Sequence, residues 1–68
     1  MAETPMELIR KLEETAAALR DLAAQVRKAA PAVADEALRR EMLESAEGLE
    51  RRAGQMAEAI ERWRLQIN

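Results

Sequence analysis

Residues 42–67, MLESAEGLERRAGQMAEAIERWRLQI, decide the fold. Met42, Ala46, Leu49, Ala53, Met56, Ile60, Trp63 and Ile67 follow one another in alternating steps of four and three, without a slip. That spacing gives a helix one apolar edge, aimed at a partner helix.

The partner lies upstream. Ile9, Leu12, Ala16, Leu19, Ala23, Val26 and Ala30 repeat the same steps, and Leu8, Thr15, Leu22 and Ala29 flank them. An apolar stripe about three residues per heptad wide is broader than a two-stranded coiled coil needs and suits a bundle. Thr4-Pro5-Met6-Glu7 supplies the start. Thr4 can accept from the Glu7 amide, Glu7 can reach back, and Pro5 loses nothing at the first helical position. Glu3 and Glu7 at one end, and Arg27 and Lys28 at the other, suit the helix dipole.

Between the seams stands Pro31-Ala32-Val33-Ala34. Proline disfavours helix at the residue before it and cannot donate its own backbone bond. The heptad phase also breaks here: extending the first register would put Arg40 and Glu44 on the seam. The reading is therefore an all-α, antiparallel two-helix hairpin forming a single domain over residues 1–68. Its first helix runs from about 5 to 29, its turn from about 31 to 34 and its second helix from about 35 to 65. One long kinked helix is the alternative, and the lack of a glycine at the turn is the weak point of the hairpin. Asp35 is placed to cap the second helix. Glu36/Arg40, Glu47/Arg51 and Glu58/Arg62 are helix-supporting pairs four apart. Gly48 and Gly54 could signal a third helix, but the seam crosses both in phase, which points instead to close approach of another backbone.

Folding at residues 31–34 pairs residues whose numbers add to about 65. Ile9 then meets Met56, Leu12 meets Ala53, Ala16 meets Leu49, Leu19 meets Ala46 and Ala23 meets Met42. Four of these five layers set a large residue against alanine, the arrangement that interdigitates without voids. This register leaves Trp63 opposite Ala2 and the last turns without a partner. Ile60, Trp63, Leu65 and Ile67 thus become a candidate surface for another protein, Trp being enriched at interface hot spots. Leu8, Leu22, Leu38 and Leu43 flank the seam and would stay exposed in a monomer. They mark a self-association surface, with a dimeric four-helix bundle as the expected product. The layout resembles that of the plasmid repressor-of-primer family, dimeric helical hairpins, in architecture alone. No motif is shared, and the family's RNA binding is not carried over.

Composition narrows the chemistry. The chain has 68 residues with no Cys and no His, so disulfides, thiolate ligands and the commonest metal ligand and general base are missing. Such short chains need regular packing or oligomerisation. Leu, Ile and Val number 13, near the level at which disorder sets in, but net charge is only −2 and 15 alanines favour helix. Ser45, Thr4 and Thr15 have no base to activate them. Glu13/Glu14 and Glu41/Glu44/Glu47 lack the histidines of a di-metal bundle and alternate with Arg. No enzyme and no cofactor are expected. A pI near 5.1 gives no electrostatic ground for nucleic acid, although Arg39-Arg40 and Arg51-Arg52 are small basic clusters. No apolar run spans a bilayer and no signal-like stretch follows Met1–Pro5, so the cytoplasm is expected and no membrane partner.

The reading is a non-enzymatic protein–protein interaction module: adaptor, chaperone-like or inhibitor-like. Two alternatives stand beside it: a nucleic-acid-binding regulator of repressor-of-primer-like layout, and a designed or structural bundle without ligand. Arg outnumbers Lys nine to two, whereas designed bundles tend to use Lys and Glu.

Overall fold

The computed structural model describes residues 3–67. Two helices, α1 (Pro5–Ala29) and α2 (Glu36–Ile67), lie antiparallel and are joined by a short 3₁₀ helix, Ala30–Ala32.

Local chemistry accounts for each boundary. Thr4 is extended, and its Oγ1 accepts from the Glu7 amide at 3.2 Å, with Pro5 as the first helical residue. The expected return bond from the Glu7 side chain does not form among the described residues. At the other end of α1 the last turn tightens instead of ending on a left-handed residue. The Ala30 amide still donates to the Val26 carbonyl, Val33 N donates to Ala30 O at 3.0 Å, and Val33 is extended. A 3₁₀ turn satisfies terminal carbonyls without needing glycine. Asp35 Oδ1 then accepts from the amides of Ala37 and Leu38 at 2.9 and 3.2 Å, which starts α2.

The core is a single seam. Ile9, Ala16, Ala23 and Ala30 of the first arm are buried, as are Ala46, Ala53 and Ile60 of α2. The larger seam residues Leu12, Leu19, Leu49 and Met56 are only half-buried, and no large side chain is fully enclosed. Backbones close enough to bury alanine completely leave longer side chains leaning out over the groove.

The register differs from the one counted across the turn. Arg27 pairs with Glu50, and Arg64 with Glu13, both at 2.6 Å. Both pairs have numbers adding to 77, and they lie beside the seam, so the seam residues themselves match at about 72. Arg39 Nη1, on the seam, reaches the Val33 carbonyl at 3.4 Å in the same register. The slip is one heptad. Its cause is the connection: the 3₁₀ turn carries the first arm about 6 Å further at ~2 Å per residue. Residues 33–35, outside any helix, carry it further still before α2 turns back.

The alternation of large and small survives the slip. Ala16 now faces Met56, Leu19 faces Ala53, Ala23 faces Leu49, Val26 faces Ala46 and Ala30 faces Met42. Trp63 faces Ile9 instead of the undescribed Ala2, and Ile67 comes level with Pro5. The expected overhang of α2 is therefore absent. The molecule is 49 Å long, and 32 helical residues at ~1.5 Å each account for that length.

Candidate functional site

The ion pairs divide the rod into two flanks. One carries Glu13, Arg20 and Arg27 of α1 beside Leu43, Glu50 and Arg64 of α2. Arg27 is bidentate to Glu50, with Nε and Nη2 donating at 2.9 and 2.6 Å. This pairing raises the Arg27 pKa and holds the Glu50 carboxyl below its ordinary value, first through the hydrogen bond and then through charge. Exposed pairs of this kind contribute little to stability, but they mark how the helices are rotated about each other.

The opposite flank is apolar. Leu8 and Leu22 stand on α1 and Leu38 on α2, each about half exposed. Leu43, assigned to the same surface from the sequence, lies instead on the ion-paired flank and is half-buried. Two clefts open on the apolar flank of α2. One is a notch bordered by Ser45, Gly48, Leu49, Arg51, Arg52 and Gln55. The other is a small, almost wholly apolar cleft of about 50 Å³ between Leu12, Met56, Ala59, Ile60 and Trp63.

Large exposed apolar side chains concentrate at the open end, away from the turn. Among the described residues Met6, Leu8, Trp63, Leu65 and Ile67 are five of the seven, and Leu65 is the most exposed at 72%. Of the four residues assigned from sequence to a partner surface, Trp63, Leu65 and Ile67 are accessible. Ile60 is not: it is buried at 5% exposure, because the heptad slip places it against Leu12. Met6 joins this end, and its position level with the last turn of α2 follows only from the corrected register. Gly48 and Gly54 meet no other backbone within the hairpin. A Cβ at Gly48 would touch only Arg51 Nη2, at 3.8 Å, and one at Gly54 nothing within 4 Å.

The remaining polar groups have ordinary employment. Thr4 caps α1, and Thr15 Oγ1 donates to the Lys11 carbonyl at 3.0 Å. No polar side chain is buried, and no group of acidic residues could hold a metal ion, among the described residues. Among the described residues no helix is long and apolar enough to cross a membrane. Comparison with protein-family models, with curated proteins and with solved structures finds no match to this chain.

Proposed function

We propose that this chain is a non-enzymatic protein–protein interaction module whose first partner is a second copy of itself, giving a dimeric four-helix bundle. One observation carries the proposal. A compact monomer of 7.6 kDa exposes about 4,300 Å² by the usual size scaling, whereas this chain exposes 5351 Å². The excess, about 1,000 Å², is close to the ~800 Å² that each partner buries in a standard interface. A core made chiefly of alanine agrees with this, since alanine removes little apolar area per residue. The accessible groups left on such a dimer, Leu65 foremost, suit an adaptor or inhibitor that presents apolar contacts to other proteins.

Sedimentation equilibrium at micromolar concentration tests the reading. The expected mass is twice 7.6 kDa. A well-folded monomer at that concentration overturns it.

A further inference from the structure

We infer that the second copy packs on the flank bearing Leu8 and Leu22, side by side, with both turns at one end of the bundle and both open ends at the other. The inference rests on the self-association proposed above and adds its geometry.

The flank is self-complementary in one orientation only. Its α1 half is a ridge, with Leu8 and Leu22 exposed and Thr15 between them. Its α2 half is a trough, cut by the notch at Ser45 and Gly48 and by the cleft at Ala59 and Trp63. Ridge and trough run beside each other along the rod. A two-fold axis parallel to the rod lays each ridge over the other copy's trough, as an isologous interface requires. In the corrected register Leu22 comes level with Leu49–Glu50, over the notch, and Leu8 level with Trp63–Arg64, beside the cleft. Leu38, at the turn end, comes level with Ala34 of the connection. The reverse orientation sets ridge on ridge and trough on trough.

The apolar distribution argues the same way. With open ends together, Leu8, Trp63 and Ile67 of one copy are covered by their counterparts. Reversed, they would meet a turn whose exposed residues are Pro31, Ala32, Ala34 and Asp35. Arg51 and Arg52 are the charges of the notch, and Arg52 comes within an arginine's reach of Asp21 in the second copy. Lys11 comes level with Arg62, a like-charge approach that both side chains relieve by extending into water. The open space over Gly48 also finds its use, since a second copy's Leu22 occupies it.

The chain has no cysteine, so single spin labels can be placed at Ala34→Cys in the turn and at Leu65→Cys at the open end. Double electron–electron resonance on the intact dimer should give, for both labels, separations under half the 49 Å rod length. Separations near the full length for both would mean reversed packing. A short Leu65 separation with the Ala34 labels beyond the rod length would mean end-to-end contact. Either result overturns the orientation and leaves self-association standing. No intermolecular distance from either label overturns both. Gly48→Leu gives a second arm, because an added Cβ meets only the far end of Arg51, at 3.8 Å, in ordinary contact. Helix content should hold or rise, while the dimer dissociation constant rises about tenfold or more, as overpacking demands. A variant that dimerises as tightly as the parent overturns the proposed face.

Discussion

Arg27 and Glu50 close a bidentate ion pair across the two helices, 23 residues apart in the chain, at a level that counting outward from the turn does not place together. The pair marks both the alignment and the rotation of the helices, and its carboxylate titrates.

Acidification should therefore weaken the hairpin partly through Glu50. Its carboxyl is held below the ordinary value of 4.5 in the folded chain. A depressed carboxyl adds stability that is complete above the unfolded value and is lost as pH falls through the folded one. Glu50→Gln removes that contribution. The expected result is a gap in melting temperature between parent and variant that is open at pH 7 and closes below about pH 4.5. A gap independent of pH would mean that the ion pair has no part in it.

Ala23 and Ala46 are fully buried. Enlarging either to Leu forces the helices apart, at a cost of roughly 1–3 kcal/mol, measurable by urea denaturation at fixed protein concentration. Melting at or above the parent temperature in both variants would contradict the close approach.

Asp35 is the acceptor for two amides at the start of α2. Asp35→Ala should cost about 0.5–2 kcal/mol, and Asp35→Asn much less, since Asn retains the cap. Equal losses would assign the effect to charge instead.

Trp63 is the only aromatic residue and is 44% exposed in the single hairpin. In the dimer its emission should be blue-shifted and protected from quenchers, moving red on dilution through the dissociation constant. Emission that stays red and quenchable at every concentration would leave the open end uncovered by a second copy and available to a different protein.

The paired helices and their capping residues were legible because each rests on local chemistry: a threonine before proline, an aspartate before a heptad run. The register was not, and the reason is specific. Ala16, Ala23 and Ala30 recur every seven residues along the first arm, and Ala46 and Ala53 recur at seven along α2. Sliding one helix by a heptad returns large against small in the central layers, so the pattern cannot tell the two alignments apart. The rise of the 3₁₀ turn and the apolar ends distinguish them: slipped, Ile9 covers Trp63 and Leu12 covers Ile60. The errors at Ile60 and at the supposed overhang both descend from that one ambiguity. Leu43 was misplaced for another reason. Residues on either side of a seam look alike in a list of apolar positions, and only the ion pairs reveal which flank is which.

Pro5 and Ile67 emerge level with each other. A pull through the two ends of the hairpin thus loads the seam as a zipper, not in shear. Layers part singly, Trp63 from Ile9 first and Ile60 from Leu12 next, while the turn bears no load until the last. Whatever is tethered to either end shares one point of attachment, and tension between two such tethers acts first on the apolar end, where a second copy would hold it shut.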